Sequence, residues 1–153
     1  MGQIPATTAI PSAKFQNPTN MQVIAPNTPF TISMAISNMA TGNFVNAETN
    51  YFGAPQQLNS QGLIVGHSHV VIDSLSSLTQ TEPTDPTAFA FFLGLNAAAQ
   101  NGVLTADVSK GLPSGAYRLA SINTAANHQP VLVPVAQHGS VDDFVYVCIF
   151  NGL

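Results

Sequence analysis

The stretch Phe30-Thr31-Ile32-Ser33-Met34-Ala35-Ile36-Ser37 decides the fold class. Side chains two apart share one side of an extended chain, so Phe30, Ile32, Met34 and Ile36 make an apolar face and Thr31, Ser33 and Ser37 a polar one. Alternation of this kind over eight residues marks a half-buried strand. Outward from it, strand character recurs at residues 21–25, 63–73, 88–93, 103–108, 116–123, 131–136 and 144–150. Turn chemistry separates these runs at Asn27-Thr28-Pro29, Thr41-Gly42-Asn43, Asn101-Gly102 and Pro113-Ser114-Gly115. Seven or eight short strands at this spacing predict an all-β protein, an immunoglobulin- or fibronectin-like β-sandwich. Helix is expected to be minor, a single turn at residues 95–100 and another opened by the Asp85-Pro86 step. Residues 1–20 carry Pro5, Pro11 and Pro18 and no apolar period, which predicts an extended N-terminal arm ahead of a sandwich domain over residues 21–153.

A chain of 153 residues fits one domain, and an apolar content of 45% is enough to fill its core. The anomaly is charge: 7% of residues are charged, against about 25% in an ordinary globular protein. Lys14, Lys110 and Arg118 cannot build the basic stripe that neutralises several phosphates, so nucleic acid is excluded as a partner. The same shortage excludes a polybasic membrane patch, and no apolar run reaches the length of a membrane span. Cys148 is the one cysteine, set in the apolar run Val145-Tyr146-Val147-Cys148-Ile149-Phe150, where a thiol acts as a small hydrophobe and no disulfide within the chain is possible. The N-terminus lacks the basic and apolar regions of a signal peptide. A surface of Asn, Ser and Thr with few charges nevertheless predicts a secreted protein, extracellular or in the cell wall, whose leader is absent from this sequence.

Chemistry concentrates in Gly66-His67-Ser68-His69-Val70-Val71-Ile72-Asp73. In an extended chain His67 and His69 lie on one face about 7 Å apart along the strand, and two imidazoles so placed can share a metal ion. A metal needs at least one more ligand, for which Asn127-His128-Gln129-Pro130 and, less well, the exposed turn at His138 are the candidates. His67, His69 and His128 would make an open three-histidine site for copper or zinc, with Asp73 as a partner orienting a ligand. The competing reading makes them structural histidines whose nitrogens bond backbone carbonyls.

Other reaction classes find little footing. The chain has no Gly-x-Ser-x-Gly elbow, and Ser68 points away from the histidines that flank it. Glu48, Asp73, Glu82, Asp85 and Asp107 form no recognisable pair for glycoside hydrolysis, and no glycine loop is built for phosphate. Tyr51 and Phe52, with Phe44, are candidate ligand-binding aromatics for stacking on a polysaccharide, although the chain has no tryptophan. Arg118 is expected to pair with Asp73 or Asp107.

Several phrases together resemble a fungal family of small secreted proteins of unknown function, often mislabelled ribosomal protein S17-like. They are Thr41-Gly42-Asn43-Phe44-Val45-Asn46-Ala47, Asn50-Tyr51-Phe52, Pro55-Gln56-Gln57-Leu58, Gly66-His67-Ser68-His69-Val70, Gly111-Leu112-Pro113-Ser114-Gly115-Ala116-Tyr117-Arg118 and the run from Asn127 to Gln137. The resemblance covers about residues 20–147. Family members carry cysteines where this chain has Ala120 and Phe144, so no family disulfide is expected here. A looser likeness joins Gly66 to Asp73 and Leu112 to Tyr117 to copper-resistance-type β-sandwich domains, and implies metal-capable histidines on a sandwich.

The sequence thus predicts a secreted, non-enzymatic β-sandwich protein binding copper or zinc through His67, His69 and His128. The alternatives are a self-associating structural or cell-surface protein and a cell-wall polysaccharide-binding module. Self-association, as a homo-oligomer or larger assembly, is expected because few charges keep chains apart and strand edges carry few lysines.

Overall fold

A computed structural model describes residues 1–151. Nine strands carry the fold: Ser12–Asn17 (β1), Gln22–Ile24 (β2), Phe30–Ser37 (β3), Met39–Ala40 (β4), Ile64–Leu75 (β5), Phe91–Leu95 (β6), Val103–Val108 (β7), Gly115–Ala125 (β8) and Phe144–Ile149 (β9). Among the described residues helix is limited to a 3-10 turn at Thr7–Ala9 and one turn of α-helix at Ala47–Asn50 (α1). The strands form a three-stranded antiparallel sheet, β1-β3-β7, and a six-stranded sheet ordered β2-β9-β8-β5-β4 in which β6 also pairs with β5. Two short pairs in the larger sheet, β2 with β9 and β4 with β5, are parallel.

The two sheets make a sandwich because each presents one apolar face to the other. Ile32, Met34 and Ile36 of β3 with Leu104, Ala106 and Val108 of β7 face Val70 and Ile72 of β5, Leu119 of β8 and Val145 and Val147 of β9 in one buried cluster. Burial of an aliphatic side chain of this size contributes about 1.5–3 kcal/mol, which makes this layer the main source of stability. The outer face of the larger sheet is partly apolar as well, with Phe92, Ile122, Phe144 and Tyr146 exposed on it.

The arm expected over residues 1–20 is largely built into the sandwich. Residues 12–17 form β1, paired with β3, and Phe15 is buried in the core. Asp143 locks the strand in place, accepting from the Phe15 amide at 2.8 Å and from Lys14 Nζ at 2.9 Å. Nearer the N-terminus, the fully buried Gln56 side chain donates to the Gln3 carbonyl at 2.7 Å. Phe15 is the one buried side chain of the strand, with Ala13 half-buried beside it, a period too short to read, which is why the sequence hides this strand.

The converse difference is at residues 131–136, which form no strand. Pro134 has no amide to donate to a ladder, and the Leu132 amide and carbonyl are both taken by the Gln56 side chain, at 2.8 and 2.9 Å. Residues 95–100 and the Asp85-Pro86 step are also non-helical. β6 runs to Leu95, and the Asp85 carboxylate accepts from the Thr87 amide in an Asx turn.

β5 positions the candidate site. Its even-numbered residues Ile64, Ser68, Val70 and Ile72 face the core, and its odd-numbered ones face outward. At its start, Gly66 lies against β8 so closely that an added Cβ would sit 1.9 Å from the Thr124 carbonyl oxygen. Only glycine permits that approach.

Candidate metal centre

The register of β5 and β8 pairs His67 with Thr124 and His69 with Ile122, so both imidazoles rise from the outer face near the end of β8. Beyond Ala125 the chain turns sharply: His128 N donates to Ala125 O and Ala125 N to Gln129 O, both at 2.9 Å. His128 occupies the left-handed region at φ 69°, a conformation uncommon outside glycine and asparagine. That turn swings its ring back over the strand. His67 Nε2 lies 3.1 Å from His69 Nε2 and 3.2 Å from His128 Nδ1. This trio is the one cluster of three or more metal-ligating side chains found among the described residues, its donor atoms all within 4.8 Å of one another.

A third segment sets the protons. Residues 41–46 run beside Gly66 and Ala126, with Asn43 N donating to Gly66 O at 3.1 Å and Val45 N to Ala126 O at 3.0 Å. Their own carbonyls face the histidines: Asn43 O is 3.1 Å from His67 Nδ1, and Val45 O is 2.8 Å from His128 Nε2. A carbonyl can only accept, so those ring nitrogens carry the protons. His67 Nε2, which also has His69 Nε2 at 3.1 Å and Thr124 Oγ1 at 3.4 Å, and His128 Nδ1 are then unprotonated nitrogens facing each other at 3.2 Å. Two acceptors at that distance repel unless a cation lies between them. Ligands of a tetrahedral metal with bonds of about 2.0–2.1 Å sit about 3.3 Å apart, close to the two short separations seen here.

Electrostatics make a proton a poor candidate for that cation at neutral pH. Burial first and the neighbouring His128 second, against the opposing Asn43 carbonyl, together lower the pKa of His67 from 6.5 to about 4. His69 is likewise lowered to about 4 by burial, then by His67 and His128. Both rings therefore stay neutral at pH 7 and keep their lone pairs available, the state in which a histidine ligates without first releasing a proton.

The site is open on one side. His69 and His128 line a cleft of about 500 Å³ together with Tyr51, Phe92, Ile122, Asn96 and Thr124, while His67 is fully buried. Tyr51 is placed there by α1 and the turn after it. Asn46 caps α1, the Asn127 side chain donates to Asn50 O at 2.9 Å, and Phe52 N donates to Asn127 O at 2.9 Å. The Tyr51 ring stacks on Phe52 with centroids 4.2 Å apart and lies nearly parallel to His128 at 5.8 Å. Of the aromatics read from the sequence as a separate sugar platform, Tyr51 is thus at the mouth of the histidine site, Phe52 is stacked on it, and Phe44 meets the His67 ring edge-on at 5.9 Å.

Asp73 does not orient a ligand histidine; it is the partner of Arg118, one of the two that the sequence offered. It lies four residues beyond His69 on β5, about 13 Å along the strand, and its Oδ2 accepts from Arg118 Nη2 at 2.8 Å and Nε at 3.2 Å. The carbonyls of Asn43 and Val45 orient His67 and His128 in its place. His138 is exposed and bonded to its own turn, with Nδ1 2.6 Å from Gly139 O. Sequence reading missed Asn43, Val45 and Asn127, the first two because backbone carbonyls have no residue signature. Cys148 is half-buried on the outer side of β9 rather than in the core layer.

A family model described as the CLU5d N-terminal domain matches residues 13–150. The chain belongs to the CLU5d N-terminal domain family. Among relatives of this CLU5d domain, pathogenicity cluster 5 protein d of the fungus Colletotrichum graminicola is 41% identical over 145 residues. The match takes in 94% of this chain and 30% of that protein, so the chain spans under a third of the relative's length. No solved structure matches. These matches agree with a fungal family and give no support to the copper-resistance likeness.

Proposed function

We propose that this CLU5d domain is the metal-binding module of a secreted fungal protein, holding one divalent ion, copper or zinc, on His67, His69 and His128. The observation that carries the reading is the pair of facing lone pairs on His67 Nε2 and His128 Nδ1, each fixed by a carbonyl behind its ring. Carbonyls behind metal-bound imidazoles fix tautomer and raise basicity, and an all-imidazole donor set suits zinc and copper over magnesium or calcium. The fungal relative is named for a pathogenicity cluster, and a domain with this uncharged surface fits a protein that works outside the cell.

Titration calorimetry of the purified domain with Cu²⁺ and Zn²⁺, paired with elemental analysis, tests the proposal. One ion per chain is expected, with affinity falling about 100-fold or more in His67→Ala and His69→Ala. Circular dichroism confirms that the variants fold. Native protein that stays metal-free, or variants that bind as tightly as it does, would reject the reading.

A further inference from the structure

We propose that the open side of the histidine site takes a flat aromatic molecule with a single anionic oxygen donor, of which a benzoate-type carboxylate is the simplest. The inference rests on the metal-binding reading and adds the class of the fourth ligand. Three neutral imidazoles leave the full charge of a divalent ion uncompensated, and a site with three protein ligands keeps a position for an exogenous one. Two of the three histidines line the cleft, so that position faces it.

The lining then defines the rest of the molecule. Neither Lys14, Lys110 nor Arg118 lies among the cleft residues, so the metal is the one positive charge available and a second anionic group would go unpaired. Phe92 and Tyr51 present rings on the flanks of His69 and His128, with the Phe92 centroid 5.2 Å from that of His69. Ile122 and Ala47 add aliphatic wall, while Asn96 and Thr124 offer hydrogen bonds at the margin. A volume of about 500 Å³ lies in the range of small-molecule sites. Aromatic rings favour a planar apolar body that can stack or meet them edge-on.

Cobalt(II), whose visible bands report its ligands, gives the readout on the folded domain. Benzoate, acetate and chitobiose are titrated separately into the cobalt-loaded protein. Benzoate is expected to shift the bands and to saturate at a concentration about tenfold below acetate, as contact with two rings implies. Tyr51→Ala and Phe92→Ala, both at exposed positions, should erode that difference more than they alter cobalt affinity. Cobalt uptake with bands that ignore benzoate, equal affinity for benzoate and acetate, or stronger binding of chitobiose overturns this inference and leaves the metal reading standing. If cobalt is refused but copper is held, the same three titrations are read on the visible band of the copper-loaded protein, with the same outcomes; refusal of cobalt, copper and zinc alike overturns both.

Discussion

The two faces of β5 are made by the same twelve residues and obey different rules. On the inner face Val70 and Ile72 sit among aliphatic neighbours from both sheets, and what matters there is volume removed from water. On the outer face the Asn43 carbonyl fixes where the His67 proton points, and the Nε2 of that ring meets the nitrogens of His69 and His128. Inner contacts are many, non-directional and replaceable by others of similar size. The outer ones are few, and a shift of 1 Å removes their purpose. Stability and chemistry are separated across the thickness of a single strand, with alternation of side chains as the divider.

The separation can be broken most sharply from the inside. Ile72→Ala is expected to cost about 2–5 kcal/mol in urea unfolding, the range for an aliphatic truncation in a packed core. A cost under about 1 kcal/mol would show that the inner face is loosely packed. On the outer face the sharper probe is pH. In the folded apoprotein His67 and His69 titrate near 4, against 6.5 as the ordinary value. The unfolded chain therefore binds more protons between those values, so stability is flat above about pH 6.5 and falls as pH drops towards 4. With solvent screening allowed for, a loss on the order of 1–2 kcal/mol is expected, and His69→Phe should reduce it. A stability curve unchanged by that substitution would separate the acid sensitivity from the site.

The smallest effect concerns the turn. His128 holds a left-handed backbone that asparagine adopts readily. Both His128→Asn and His128→Ala lose the ring's bond to Val45 O, at about 1 kcal/mol, and His128→Ala should cost about 1 kcal/mol more through backbone strain. Equal effects of the two in thermal unfolding would show that the turn does not depend on this residue's conformational preference.

Much of the sandwich was legible because alternation in β3, β5 and β7 is long enough to read. β1 was not legible: its one core anchor, Phe15, lies between polar residues and its place is secured by Asp143, more than a hundred residues away. Residues 131–136 misled for the opposite reason, since apolar composition suggested a strand that Pro134 and the Gln56 side chain convert into irregular backbone. At the site, the spacing of His67 and His69 was decisive, and His128 followed as the imidazole in a turn near a strand end. Asp73 was misassigned because a carboxylate near histidines in sequence need not be near them along a strand that rises about 3.3 Å per residue.

The all-β class and the shared face of His67 and His69 were readable along the chain because side-chain alternation is a local property of an extended backbone, and the poverty of charge because it is composition alone. The tertiary structure decided that His128 completes the trio, that the carbonyls of Asn43 and Val45 set its protons, and that Tyr51 and Phe92 flank its open side. Those relations join positions up to 83 residues apart, and only the packing of turns against a sheet can specify distances across such separations.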